Sequence, residues 1–150
     1  MKRLLLIILL LVSSHANALV TDQLMMVRSS QSFPETMATL QEAIAQQGYK
    51  LSRVQRVDIG LTRSGYQTDK YRIVFFGKTD EVHQLTKQHP DLVPYLPLKI
   101  AIFAEGDETL LITANPLAFA KMYPQKDLQG MFQRWYKDVK HILEVVQNAE

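Results

Sequence analysis

Few side chains of this sequence could carry chemistry, and their spacing argues against most of it. Of four histidines, His83 and His89 lie six residues apart. On a helix they would not share a face, unlike the i, i+4 pair of a zinc protease. They remain the metal-ligand candidates, and a distant Asp or Glu would have to complete the site. His141, one turn from Lys137 and Asp138, is expected on a solvated helix face. Met25, Met26 and Met131 could offer soft thioethers to copper(I). Neighbours on a strand point to opposite faces, however, so Met25 and Met26 cannot clamp one ion, and core packing explains them better. Ser64-Gly65 lacks the G-x-S-x-G elbow, and the glycines at 60 and 65 lack a phosphate-loop lysine. Asp80-Glu81 and Asp107-Glu108 read as helix-start and turn chemistry. No cysteine is present, which removes disulfides, thiolate zinc and a cysteine nucleophile. No catalytic set is assigned and no cofactor is expected; a hydrolase using dispersed carboxylates with His83 or His89 is the enzymatic alternative, and metal handling a second.

The elements that would position such groups are legible in part. Gln23–Arg28 reads as a strand. Ser32 and Glu35 form an S-x-x-E capping box, Met37, Leu40 and Ile44 follow at helical spacing, and Gly48 closes a helix of about 15 residues. Tyr49–Ile59 is extended but changes parity, which predicts a bulge near Arg53. Gly60–Asp69 is a loop or short helical turn, and Tyr71–Phe76 a strand. Asp80–Gln88 is a short helix capped by Thr79 or Asp80, and Pro90, Pro94 and Pro97 stiffen the connection after it. Leu98–Phe103 and Thr109–Thr113 form a hairpin about Glu105-Gly106-Asp107. Asn115-Pro116 starts another short helix. Leu128, Met131, Phe132, Trp135, Val139, Ile142, Leu143 and Val146 then mark a long amphipathic helix suited to packing on a sheet.

This order predicts an α+β fold: a single antiparallel sheet of about five strands with two long helices on one face. Strand alternation gives one face to Tyr71, Ile73 and Phe75, with Leu98, Ile100, Ile102, Leu110 and Ile112 expected beside them under the helices. The second face would carry Val74, Phe76, Ala101, Phe103 and Leu111. A face meant for water would turn polar there, so these five are the candidate surface for a second copy, a protein partner or an apolar ligand. Alternatively, residues 114–125, with Leu117, Phe119 and Met122, fold over it.

Lys2 and Arg3, the apolar run Leu4–Val12 and Ala16-Asn17-Ala18 read as a cleavable export signal, too short to span a bilayer. Cleavage near Ala18 would deliver residues 19–150 to the periplasm, or beyond it as a secreted protein, as a single domain. Without Lys2 and Arg3 the chain carries 15 basic and 15 acidic residues. Such a balance gives little attraction for phosphate backbones, so no nucleic-acid partner is expected.

Several segments together resemble the domain-of-unknown-function 302 family. They are Gly48-Tyr49-Lys50-Leu51 after the capped helix, Tyr71-Arg72-Ile73-Val74-Phe75-Phe76-Gly77, the stretch from His89-Pro90 through Tyr95-Leu96-Pro97 to Phe103, and Thr113-Ala114-Asn115-Pro116. The likeness spans about Val27–Val146. It implies a β-α-β4-α layout and frequent dimerisation, and it supplies no catalytic residue. Relatives often place a cysteine where Leu98 stands, so no thiol role carries over.

Overall fold

A computed structural model describes residues 19–149; the expected leader lies outside them. The chain runs β1 (Leu19–Val20), β2 (Leu24–Ser29), α1 (Phe33–Gln46), β3 (Lys50–Arg56), α2 (Val57–Arg63), β4 (Tyr71–Gly77), α3 (Thr79–Gln88), a 3-10 turn (Pro90–Tyr95), β5 (Leu98–Glu105), β6 (Glu108–Ala114), α4 (Pro116–Met122) and α5 (Lys126–Gln147). The strands form one antiparallel sheet in the order β1-β2-β6-β5-β4-β3. β1 is only two residues long, so five full strands carry the sheet. α1 crosses from β2 to the far edge, and β3 to β6 meander back until β6 pairs with β2.

Local chemistry explains most boundaries. Glu35 accepts hydrogen bonds from the Ser32 backbone N–H at 3.1 Å and the Ser32 hydroxyl at 2.7 Å. Those bonds hold its carboxyl below the usual range. Gly48 closes α1 with φ +74°, a conformation costly to a residue with a Cβ. The expected irregularity in β3 falls between Leu51 and Arg53. Two details differ from expectation. Val57–Ile59 begin α2 rather than ending the strand, and Lys78 is the N-cap of α3, with Thr79 already helical.

α1 and α5 pack together on one face of the sheet, and the core lies beneath them. Leu40 and Ile44 from α1, and Phe132, Trp135, Val139 and Ile142 from α5, meet Met25, Val27, Val74, Phe76, Ile100, Ile102 and Leu111. Trp135 donates its indole N–H to Glu81 at 2.9 Å, and Arg134 binds the same carboxylate. Tyr49 donates to Asp138 at 2.6 Å; burial first, then this bond, raises its phenol well above the ordinary value. α4 packs against α5, with the Phe119 and Phe132 rings 6.0 Å apart.

Asn115 joins two parts of the fold. Its side-chain oxygen accepts from Leu117 N–H at 3.0 Å, and its amide donates to the Thr21 carbonyl at 2.9 Å. Asn115→Ala is expected to lower stability by about 1–2 kcal/mol, the usual cost of a lost cap plus one bond. A urea titration with an unchanged midpoint would contradict this.

Candidate functional site

Cross-strand register decides which side chains share the face opposite the helices. Arg28, Leu110, Phe103 and Tyr71 line up across β2, β6, β5 and β4. The next row runs Met26, Ile112, Ala101, Ile73 and Gln55, reaching β3. In the third row Lys99 pairs with Phe75, and Phe75 with Arg53. Met26, Tyr71, Ile73, Phe75, Ala101, Phe103 and Ile112 are all half-buried, and Leu110 is 9% exposed. None of these eight belongs to the helix-covered core or is packed against it. The Tyr71 and Phe103 rings meet edge to face at 5.9 Å.

The five candidates from the sequence therefore divide. Ala101 and Phe103 lie on the open face. Val74, Phe76 and Leu111 do not: each is fully buried beneath the helices, which corrects the expected grouping. Val74 lies opposite Ile100, Phe76 opposite Leu98, and Leu111 opposite Ile102. Directly paired residues project to the same side, so these positions share the core. Conversely Tyr71, Ile73, Phe75, Leu110 and Ile112, expected under the helices, are on the open side. The connection at 114–125 does not roof that side. It forms α4, and Phe119 points into the helical core.

One signal for the β5–β6 register lay in the sequence. A two-residue turn at Gly106-Asp107 pairs Glu105 with Glu108, and Gly106 takes the positive φ of +62° such a turn requires. Counting back places Phe103 with Leu110 and Ala101 with Ile112. The β4–β5 register has no such signal, because α3 and the 3-10 turn separate the strands.

Charges rim the open face unevenly. At one end Arg28 binds Glu105 at 2.7 Å and Glu108 at 3.3 Å, leaving one carboxylate in excess. At the other end Lys50, Arg53 and Lys99 are exposed, and no ion pair among the described residues engages them.

The histidines are not brought into a metal-binding cluster. His83 is exposed on α3. His89 contacts Asp127 at 3.0 Å through Nε2 and lines a depression of about 240 Å³ with Glu81, Gln84 and Arg134. Among the described residues, no three His, Asp or Glu side chains are grouped to hold a metal. Met25 is buried while its neighbour Met26 lies on the open face, so the two thioethers diverge. No helix among the described residues is long and apolar enough to cross a membrane.

On the helix side, Asp58 of α2 binds Arg72, which holds its carboxyl below the usual value near 3.8. Because the folded value is the lower one, the pair's contribution is complete above the unfolded value and fades as pH falls through the folded value. Asp58→Asn is thus expected to lower the melting temperature most near neutrality. The gap from wild type should close as the solution is acidified below about pH 4. A gap that stays constant with pH would contradict this.

Residues 25–146 match the family described as domain of unknown function DUF302. The fold also matches the crystal structure of an uncharacterized conserved DUF302 protein from Bacillus stearothermophilus. The TM-score is 0.73 over 82% of this chain and 97% of that one, at 18% sequence identity. At that identity the likeness shows the fold alone. No curated protein matches the sequence.

Proposed function

We propose that this chain, which belongs to the DUF302 family, is an exported accessory module that works as a pair, two copies stacking open sheet face on open sheet face. The carrying observation is the apolar block of Met26, Ile73, Phe75, Ala101, Phe103 and Ile112, outside the core and without a covering helix. A contiguous apolar patch of this kind is unfavourable in water and suits an intermolecular contact.

The rim supports a second copy as the occupant. A two-fold axis running across the strands sets the row of Lys99 and Arg53 on one protomer near Glu105 and Glu108 on its partner. Basic end then meets acidic end twice, as a self-complementary interface requires. Five strands about 4.8 Å apart and some five residues long make a patch of roughly 20 by 17 Å. That is small beside the ≈ 800 Å² per partner of a standard interface, so the pair is expected to be a weak one that dissociates on dilution. The leader pattern of residues 1–18 supports a periplasmic setting.

Light scattering across a dilution series tests the pairing. A concentration-dependent shift from dimer to monomer is expected, and a monomer at every concentration up to about a millimolar would overturn it. For the export half, the protein recovered from the periplasmic fraction should begin at Leu19. A product retaining Met1 in the cytoplasm would overturn that half.

A further inference from the structure

A second concavity lies on the helix side of the sheet, at the edge where α1 approaches β3 and β4. It is a shallow, open depression of about 480 Å³. Its lining divides by chemistry. Phe33, Met37 and Val54 supply an apolar floor, while Arg56, Lys70 and Arg72 supply positive charge. Val54 is 38% exposed although its strand neighbour across the ladder, Val74, is fully buried. Val54 therefore leaves apolar surface in water beside Phe33 and Met37, which are half-buried against the margin of the core.

The charges are not balanced within the fold. Register places Arg56 directly opposite Arg72 on the same side of the β3–β4 pair, an arrangement that is repulsive unless an anion relieves it. Asp58 binds Arg72 and also feels Arg56. Among the described residues that line the groove there is no carboxylate, and Asp58 meets its cations only through Arg72 and Arg56. Asp69, next to Lys70 in sequence, lines a neighbouring depression with Asp107 and Glu108, and Phe33 and Lys70 stand on the border between the two. Arg56 and Lys70 are exposed and take part in no ion pair among the described residues. The cations are also held close to the apolar floor: Lys70 lies 5.9 Å and Arg72 5.8 Å from the centre of the Phe33 ring. Surplus positive charge bordering an apolar trough calls for a ligand with the opposite two properties.

We propose that this groove binds a single-chain amphiphile with a carboxylate head. The head lies between Arg56 and Lys70, and the chain runs along Phe33, Met37 and Val54. A purely ionic ligand would leave the floor wet, and a neutral chain would leave the cations unanswered.

Titration calorimetry of the purified protein with dodecanoate, kept below micelle formation, tests the assignment. Saturable binding of one dodecanoate per chain is expected. Arg56→Gln combined with Lys70→Gln should weaken it by at least about tenfold, since two charge-assisted contacts are removed. Lys87→Gln, which removes an exposed cation of α3 that does not line the groove, should leave it within about twofold. Acetate, which lacks the chain, and dodecyl maltoside, which lacks the charge, should each bind far more weakly. The proposal is overturned by any of four results: no binding of dodecanoate, equal binding of dodecyl maltoside, undiminished binding by the double variant, or an equal loss of binding in Lys87→Gln. Attachment to vesicles of anionic phospholipid without binding of monomeric dodecanoate would also overturn it, by assigning the charge to a membrane surface.

Discussion

Ala101→Arg is expected to leave the protein folded and monomeric. Ala101 occupies the middle row and middle strand of the open face, flanked by Ile112 on β6 and Ile73 on β4. It is only half-buried, so in a lone protomer the arginine stem can lie along the sheet with its guanidinium in water, at little cost. In the face-to-face pair two guanidiniums would be trapped close together in an apolar layer, once from each copy. Effective desolvation costs several kcal/mol per ion, and no acidic partner is near the centre to offset it. A loss of at least about 3 kcal/mol, more than a hundredfold in the dissociation constant, is the expected size. Light scattering at a concentration where wild type is dimeric reads the result. A melting temperature within a few degrees of wild type certifies the fold. A dimer that survives the substitution with unchanged affinity would move the interface elsewhere and end the pairing proposed here.

The second large effect separates two adjacent phenylalanines. Phe76 is completely buried and meets Tyr49 edge to face at 5.5 Å; Phe75 lies on the open side. Phe76→Ala should lower the unfolding free energy by about 3–5 kcal/mol, through lost transfer energy and the cavity left under the helices. Phe75→Ala removes the same atoms from a site that water already reaches, and should cost no more than about 1.5 kcal/mol. Urea unfolding in the monomeric Ala101→Arg background makes the comparison, because there dimerisation cannot add to the apparent stability. If the two costs were equal, the assignment of faces would fail. The reverse order would restore the grouping expected from alternation alone.

These two experiments bear on the point where sequence reasoning and structure part. Within each strand alternation is local: Tyr71, Ile73 and Phe75 share one side, and Val74 and Phe76 the other. Between strands the relation depends on register, and a one-residue slip exchanges the faces. Both faces of β4 and β5 are apolar, so composition did not say which lay under the helices. The groove at α1 was likewise invisible. Phe33, Val54 and the neighbours Lys70 and Arg72 come from three separate stretches of chain, and only the packing of α1 against the β3 edge assembles them.

What the sequence settled by itself was whatever rests on short-range physics. The Ser32–Glu35 box, the glycine after α1, the bulge in β3, the Asn115-Pro116 start and the long apolar stripe of α5 each depend on neighbours within a turn or two of chain. From their order the α+β layout of this DUF302 chain follows. Only the tertiary structure chose which apolar face is roofed and which charges crowd together. Those outcomes come from pairings between residues tens of positions apart, whose energies no local pattern encodes.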